Sequence, residues 1–277
     1  MKFLLTGGNG YVGSHVANSL IKRGHDVVVA CRSLDRKLPG VEYLQMDVLS
    51  GDSDIYLRSG KPDALIHLAW DDGFNHNSTI HLEKLPLHIN FLRNMLEKGL
   101  KQITGIGTMH EVGYYVGIVD ENTPTFPYHA YGIAKNHLRE VQKLLCHEYN
   151  ALNQWTRCFY IYGEDSRNKS IFAKLLEAEN AGKAEFSLNS GELLYDFISV
   201  NELGDMIAAV ASQSEITGII NCCSGRPISL KTMVLRFIEE NNLKIKPVWG
   251  QFPLRPYDSQ AIWGDTTKLS DILKKVI

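Results

Sequence analysis

The sequence has no long apolar run and no excess of charge of either sign. No stretch approaches the roughly 20 apolar residues that a membrane-spanning helix needs. The formal net charge is −2, from 29 lysines and arginines against 31 aspartates and glutamates. A chain without a basic field is a poor ligand for nucleic-acid backbones and for anionic lipid surfaces. We therefore expect neither a nucleic acid nor a membrane among its partners.

Cysteine is also scarce, and its spacing matches neither a disulfide framework nor a zinc site. The five cysteines are odd in number, which is typical of a protein from a reducing compartment. No two of the ten histidines have the HExxH spacing of a helical metal site, so we predict no metal. The first six residues already form a predicted strand and leave no room for a cleavable leader. We expect a cytoplasmic protein.

Short apolar strands alternate with amphipathic helices through the first two-thirds of the chain. Such an alternation connects parallel strands through helices that cover both faces of the sheet. The sequence therefore predicts an α/β fold with a Rossmann-like doubly wound parallel sheet. The predicted strands are Lys2–Thr6, Asp26–Cys31, Glu42–Met46, Ala64–Ala69, Ile103–Gly107 and Trp155–Tyr160, and the predicted helices are Tyr11–Arg23, Leu85–Lys98 and Ala130–Glu148.

The pattern becomes shorter and more irregular beyond about residue 165, where glycines separate the elements. We expect a dinucleotide-binding domain over residues 1–165 and a smaller substrate-binding region over residues 166–277. The second region would cap the ligand cleft. No flexible linker separates the two, so we expect them to be interleaved rather than tethered.

A glycine-rich loop, TGGNGYVG, follows the first predicted strand and opens the first predicted helix. Gly7 permits a tight turn, Gly10 lets the backbone approach a pyrophosphate, and Gly13 lets the helix pack against the strand. The N–H groups at the start of the helix face the phosphates. The loop predicts a dinucleotide site, with Tyr11 and Val12 as further contacts of the coenzyme. An ordinary turn is the alternative, but the flanking strand and helix favour binding.

The end of the second predicted strand bears on the choice of coenzyme. A site that prefers NAD usually has an acid there, which binds the ribose 2′-hydroxyl. This chain has Cys31, Arg32 and Ser33 instead. Because a guanidinium binds phosphate oxygens bidentately, Arg32 favours NADP(H), with NAD(H) as the alternative. Arg32 could also be a solvated loop charge or stack on adenine.

Tyr131 and Lys135 stand four residues apart in a predicted helix, so their side chains share one face. A tyrosine with a pKa of about 10 is a poor acid at neutral pH, but a nearby ammonium lowers that pKa. We predict that Tyr131 transfers a proton and that Lys135 lowers its pKa. Such a pair alone is more often structural, whereas the glycine loop upstream favours catalysis.

Taken in order, these motifs resemble the extended short-chain dehydrogenases/reductases, also called the NAD-dependent epimerase/dehydratase family. The resemblance covers nearly the whole chain, including YGIAK at Tyr131–Lys135. Its further marks are Asp47 with Val48, HLA at His67–Ala69, Asn90, IYG at Ile161–Gly163, DFISV at Asp196–Val200 and RPYD at Arg255–Asp258.

The resemblance implies roles for several residues. Thr108 would be the third catalytic residue and would hydrogen-bond the substrate carbonyl. Lys135 would also hold the nicotinamide ribose, and Asn90 would support a water relay to it. The family commonly forms homodimers through two helices of each subunit, and we expect the same here. Further coenzyme contacts implied by the resemblance are Asp47, Val48, Leu68 and Ala69.

The residues after Thr108 bear on the reaction. Sugar-nucleotide 4,6-dehydratases of this family have Asp and Glu there, whereas this chain has Met109 and His110. Methionine cannot transfer a proton, so the sequence disfavours dehydration. His110 stands where some relatives keep an epimerising residue, but the segment EDSRNKSIF after IYG adds no second histidine or cysteine. A ketone reduction needs only the hydride, Thr108, Tyr131 and Lys135.

Two further residues are candidate substrate contacts. By resemblance, Arg255 would bind the diphosphate of a nucleotide sugar, which suits its planar fork, and His110 would contact the same ligand. The family often has arginine and asparagine where this chain has Tyr195 and Tyr160. Because of these two departures, the substrate contacts of relatives do not carry over directly.

The sequence thus favours an NADP(H)-preferring reductase of a nucleotide-activated 4-keto-6-deoxy sugar. The segment GTMHEVGYY and the following DENTP resemble bacterial dTDP-4-keto-6-deoxyhexose reductases of surface polysaccharide biosynthesis. One alternative is an epimerase with a tightly bound NAD. A second is a non-catalytic dinucleotide-sensing module, although a pure binder would not need all three catalytic residues.

Overall fold

The computed structural model describes residues 1–163 and 168–276. Its strands are β1 (Lys2–Thr6), β2 (Asp26–Cys31), β3 (Val41–Gln45), β4 (Ala64–His67), β5 (Gln102–Thr108), β6 (Gly117–Val119), β7 (Leu152–Cys158), β8 (Tyr160–Tyr162), β9 (Glu185–Ser187), β10 (Leu194–Ser199), β11 (Gly218–Cys222), β12 (Pro227–Ser229), β13 (Lys246–Val248) and β14 (Ala261–Gly264). Its helices are α1 (Tyr11–Lys22), α2 (Ile55–Arg58), α3 (Ile80–Glu83), α4 (Leu85–Glu97), α5 (Ala130–Glu148), α6 (Ile171–Asn180), α7 (Val200–Ala211), α8 (Leu230–Glu240) and α9 (Thr267–Val276), and a 3₁₀ turn spans Met109–Glu111.

Seven strands of the described residues form a parallel main sheet in the order β11-β7-β5-β4-β1-β2-β3. The chain winds outward from β1 in one direction through β2 and β3. It then returns to β4 on the other side of β1 and continues through β5, β7 and β11. At such a reversal the loops leave in opposite directions, and a crevice opens at the carboxyl ends of the strands.

Helices cover both faces of the main sheet. One face packs against α1, α7 and α9, with Leu20 and Ile207 fully buried in its apolar cluster. The other face packs against α4 and α5, with Leu92 and Leu138 buried in a second cluster. These two layers confirm the predicted doubly wound fold. In residues 1–163 and 168–276, no helix combines the length and the apolar character that crossing a membrane requires.

The predicted elements of the first 160 residues lie close to their observed positions. Strands β1 and β2 and helix α5 have the predicted bounds, because their apolar periodicity is uninterrupted. The predicted strand Trp155–Tyr160 is shifted, since β7 begins at Leu152 and ends at Cys158. The short strands and helices that follow carry too little periodicity for their bounds to be predicted.

A second, mixed sheet is formed by β12, β10, β14 and β6, with β8 paired to β10. It packs against α6 and α8 through an apolar cluster that includes Phe172 and Phe237. The later part of the chain also returns to the main sheet through β11, and the earlier part contributes β6 to the second sheet. The division into two regions remains a proposal, and the predicted boundary at 165/166 falls outside the described residues.

The carboxylate of Asp196 joins three segments of the second sheet. Asp196 lies on β10, is fully buried, and accepts hydrogen bonds from the backbone N–H and hydroxyl of Ser224 at 2.8 and 2.6 Å. It also accepts from the N–H groups of Gly225 at 2.9 Å and Gly264 at 3.2 Å. Because this buried carboxylate accepts four hydrogen bonds, the acid of the DFISV motif has a structural role.

We predict that Asp196→Asn lowers the free energy of unfolding by about 3 kcal/mol, because an amide oxygen cannot replace both carboxylate oxygens and leaves buried donors unpaired. Urea unfolding followed by circular dichroism measures this change. Asp205→Asn, at an exposed position of α7, is the matched control and should change the free energy by less than about 0.5 kcal/mol. Equal effects of the two substitutions would contradict the assigned role of Asp196.

Candidate active site

A large cleft lies along the carboxyl ends of the main-sheet strands and extends to the second sheet. Its volume is about 1380 Å³. Pockets for one drug-sized ligand are about 300–1,000 Å³, so this cleft has room for a dinucleotide and a second ligand. The structure brings every predicted site residue to its wall: Gly7, Gly10, Tyr11, Val12, Gly13, Arg32, Asp47, Val48, Leu68, Ala69, Thr108, His110, Tyr131, Lys135 and Arg255.

The glycine loop between β1 and α1 fits a dinucleotide for steric reasons. Gly7 has a φ of +69°, which favours glycine, and its Cα lies against the backbone of Ala69. A Cβ on Gly13 would stand 2.2 Å from the carbonyl oxygen of Gly7. Gly10 is the N-cap of α1 and has no side chain to cap the helix. The start of α1 therefore faces the cleft as an anion site.

Arg32 lines the cleft directly after β2, where it has a partner that the sequence did not reveal. Its guanidinium forms an ion pair with Asp71 at 3.0 Å, and its side chain is 66% exposed. Lys84 pairs with the other oxygen of Asp71 at 2.5 Å. Asp71 therefore competes with any phosphate for Arg32, while the exposure of the pair keeps this competition weak.

Lys135 is almost fully buried at the centre of the cleft. Its ammonium donates a hydrogen bond to the carbonyl oxygen of Ile106 at 2.8 Å and lies 3.9 Å from the ring centroid of Trp70. Burial lowers the pKa of Lys135 to about 8. His88 of α4 stacks on the other side of Trp70 at 4.6 Å. Asn90, expected to support a water relay, is exposed on α4 and is not among the residues that line the cleft, so its role stays a prediction.

Thr108 ends β5 and begins the 3₁₀ turn, and the buried carboxylate of Glu111 holds it there. The N–H of Thr108 donates to Glu111 at 2.7 Å, and the Thr108 hydroxyl accepts from the N–H of His110 at 3.3 Å. Glu111 also accepts from the indole N–H of Trp155 at 3.0 Å and lies 3.5 Å from the guanidinium of Arg157. This reciprocal capping fixes the Thr108 side chain at the cleft.

Tyr131 lies one helical turn before Lys135 and shares a side-chain hydrogen bond with Thr108. Burial raises the pKa of Tyr131 above its usual value of 10, and the bond to Thr108 opposes this rise only in part. The expectation that the pKa of Tyr131 is lowered is therefore wrong here, since burial and the nearby Cys158 and Glu111 raise it. Tyr131 is a neutral phenol at neutral pH, the form that donates a proton.

Three histidines, His76, His110 and His129, surround Tyr131 and are called the histidine cluster below. The rings of His76 and Tyr131 stack with centroids 5.4 Å apart and an interplanar angle of 11°. Burial lowers the pKa of His76 to about 4 and also lowers the pKa of His110 and His129. All three rings are therefore neutral at neutral pH, and none carries a charge toward Tyr131.

The end of the cleft away from the glycine loop is lined by residues of the second sheet. Tyr160 and Tyr195, the two departures from the family pattern, stack on each other with centroids 4.1 Å apart. The two departures therefore form one aromatic contact in the wall of the cleft. Arg255 is exposed at the rim, with its guanidinium 5.8 Å from the ring of Tyr257. Such a rim arginine is available to a diphosphate that enters the cleft.

The residues that argue against a dehydratase are Met109 and those of the segment after IYG. Met109 is 4% exposed and packs in the apolar cluster of the second sheet, so no acid stands beside Thr108 in the dehydratase positions. In the segment EDSRNKSIF, residues 164–167 lie outside the described residues. The described remainder places Lys169 and Ser170 at the cleft, and neither is a histidine or a cysteine.

Sequence reasoning did not identify several residues at the centre of the site. Two of them could have been found from local sequence patterns. Trp70 directly follows the HLA motif, and Glu111 lies three residues after Thr108, which is the spacing of a capping box. His76 and His129 had no such pattern, because their proximity to His110 arises from tertiary packing alone.

The comparisons with known proteins agree with this geometry. The model of the NAD-dependent epimerase/dehydratase family matches residues 3–223. The dTDP-6-deoxy-L-talose 4-dehydrogenase (NAD(+)) of Aggregatibacter actinomycetemcomitans is 45% identical over 270 residues, which cover 95% of this chain and 99% of that protein. The GDP-6-deoxy-D-talose 4-dehydrogenase of the same organism is 22% identical over 282 residues, covering 99% of this chain and 91% of that protein.

Among solved structures, MoeE5 in complex with UDP-glucuronic acid and NAD aligns with a TM-score of 0.85 at 19% identity. The alignment covers 99% of this chain and 93% of that chain. At this identity the likeness shows the fold, while the family model and the 45% identical relative show the family. The chain belongs to the NAD-dependent epimerase/dehydratase family, whose members are enzymes of the extended short-chain dehydrogenase/reductase type.

Proposed function

We propose that this chain interconverts a dTDP-linked 6-deoxyhexose and its 4-keto form with NAD(H) as coenzyme. The carrying observation is that Tyr131 shares a hydrogen bond with Thr108 in the same cleft that Lys135 and the glycine loop line. The name of the 45% identical relative supports the dTDP-sugar and the oxidation at C4. The predicted 4-keto reductase and this 4-dehydrogenase use the same redox couple in opposite directions.

The chain's own residues account for the proton. In the reductive direction the neutral phenol of Tyr131 donates its proton to the oxygen on C4, while bound NADH supplies the hydride. The hydroxyl of Thr108 hydrogen-bonds the same oxygen as negative charge develops on it. Lys135 keeps an ammonium beside the site, anchored by the carbonyl of Ile106. In the oxidative direction the phenolate of Tyr131 would accept the proton of the C4 hydroxyl, and because burial raises the pKa of Tyr131 this direction is favoured by alkaline pH.

Two observations favour NAD(H) over the predicted NADP(H). Arg32 is engaged by Asp71, and the name of the 45% identical relative specifies NAD(+). The NADP(H) preference inferred from Arg32 is thus not supported, and we propose NAD(H) in its place. Asp47, Val48, Leu68 and Ala69 keep their proposed contacts with the coenzyme, because all four line its end of the cleft.

An epimerase is the second candidate, favoured by the position of His110. Its ring centroid lies 6.3 Å from that of Tyr131 and also 6.3 Å from that of Tyr160, so it faces the proposed sugar. Against this candidate, no second histidine or cysteine lies in the described part of the segment after IYG. The non-catalytic alternative has less support, because Thr108, Tyr131 and Lys135 are all present at the spacing of the family's catalytic residues.

The cellular context is also a proposal. The reductive direction would supply a 6-deoxyhexose donor for surface polysaccharide.

A homodimer is consistent with apolar side chains that α4 and α5 expose, since Leu87 is 39%, Ile133 is 43% and Leu144 is 63% exposed. Arg255 and His110 would contact the nucleotide sugar in each subunit.

The direct test incubates the protein with NAD⁺ and dTDP-, GDP- or UDP-linked 6-deoxyhexoses and follows NADH by absorbance. We expect stoichiometric NADH with a dTDP-linked sugar and the reverse reaction with its 4-keto form. No net NADH with any sugar, together with NAD that copurifies with the protein, would favour the epimerase.

We predict that Tyr131→Phe lowers kcat at least about 100-fold, because the variant keeps the ring but loses the proton donor. NAD⁺ binding, measured by calorimetry, should change less than about threefold, since the hydroxyl faces Thr108 rather than the glycine loop. Tyr114→Phe, at a residue 54% exposed, is the control and should keep full activity. Normal turnover by the Tyr131 variant would refute the proposed mechanism.

We predict that Asp71→Asn raises kcat/KM for NADP⁺ relative to NAD⁺ by about threefold, because it releases Arg32 from a weak, exposed ion pair to bind a 2′-phosphate. Steady-state kinetics with both coenzymes measure the ratio. The double variant Arg32→Ala/Asp71→Asn should lose this gain. A gain that persists without Arg32, or a wild-type protein that prefers NADP⁺, would contradict the role given to the ion pair.

A further inference from the structure

The histidine cluster brings together three segments that are distant in sequence. His76 follows β4, His110 lies in the turn after β5, and His129 is the N-cap of α5. Within the described residues, one ring nitrogen from each histidine lies within 4.8 Å of the other two. We propose that His76, His110 and His129 bind one divalent transition-metal ion of the Zn²⁺ class.

The spacing of the three rings is close to that of an occupied site. Zn²⁺ bonds to imidazole nitrogens at about 2.0–2.1 Å, so two such nitrogens of a tetrahedral site are about 3.4 Å apart. From at most 4.8 Å, each ring must move by about 0.7 Å, which side-chain rotation supplies. The ring centroids lie 4.4, 4.5 and 4.9 Å apart and the planes of His76 and His129 are 21° apart, so these two rings must turn to aim their nitrogens at one ion.

The three imidazole nitrogens determine which class of metal ion binds. Neutral imidazole suits Zn²⁺, Cu²⁺, Ni²⁺ and Co²⁺, whereas Mg²⁺ and Ca²⁺ prefer oxygen ligands. Three protein ligands leave a fourth position open. Because His76 and His110 line the large cleft, this position faces the cleft and is filled by water or by an oxygen of the cleft's occupant.

Two features of the cluster oppose binding and set its strength. His129 Nδ1 accepts a hydrogen bond from the N–H of Gly132 at 3.1 Å, and coordination through Nε2 would move a proton to Nδ1 and break this cap. Losing such a cap weakens binding by about 30-fold at most. Arg255 lies close enough to repel a cation, while Asp258, which lines a small pocket with His110 and His129, attracts one.

Sequence spacing predicted no metal site, because no two of these histidines lie one helical turn apart. Such spacing identifies only metal sites whose histidines lie on one helix. The structure assembles the cluster from a loop, a 3₁₀ turn and a helix start, which no local pattern encodes.

The test titrates the EDTA-treated, full-length protein with ZnCl₂ against a chromophoric chelator, without coenzyme or sugar. We expect one ion for each chain. His76→Gln and His110→Gln should each weaken binding at least about 100-fold, because each removes a ligand. His137→Gln, at an exposed position of α5, should bind as the wild type does. Co²⁺ bound at the site should give the visible spectrum of tetrahedral coordination.

The proposal would be overturned if the wild-type protein binds no zinc, or if both variants bind zinc as the wild type does. Circular dichroism shows whether the variants fold. If one does not, ¹⁵N resonances of the wild-type histidine rings decide, since Zn²⁺ must shift those of His76, His110 and His129. Shifts confined to other histidines would also overturn it. Because no substrate is present, failure of the proposed dehydrogenase activity would leave this result unaffected.

Discussion

The buried carboxylate of Glu111 is the interaction on which the candidate site depends. It is fully buried, and it binds the N–H of Thr108 and the indole of Trp155 while facing the guanidinium of Arg157. A charge in this position is tolerated only with such partners. Through it, the end of β5 is tied to β7, and Thr108 is held within hydrogen-bonding reach of Tyr131.

The order of the strands determines where this chemistry occurs. The reversal beside β1 opens the crevice, the glycine loop supplies its anion-binding end, and α5 carries Tyr131 and Lys135 to its centre. The second sheet closes the far end with the stacked pair of Tyr160 and Tyr195, and Arg255 lies at its rim. The proposed dinucleotide and sugar sites therefore adjoin at the carboxyl edge of one sheet, which both parts of the chain build.

The sequence predicted the first half of the fold well because strong periodicity there coincides with local signals. Strands β1 and β2 and helix α5 are long and flanked by clear turns. Residues of the glycine loop and the Tyr131–Lys135 pair were likewise identified from spacing. Asp71, His76 and His129 were not, because ion pairs and ring contacts across distant segments leave no local pattern. The pKa of Tyr131 was mispredicted for the same reason, since burial is a property of the whole fold.

The central claim is that a hydride passes between C4 of the sugar and NAD(H) at Tyr131. The most direct test uses a dTDP-linked 6-deoxyhexose that carries deuterium at C4, incubated with NAD⁺ and analysed by mass spectrometry and proton NMR. The account predicts NADH with one deuterium and an unlabelled 4-keto sugar. Deuterium that stays in the sugar, or that is lost to water without labelled NADH, would contradict it.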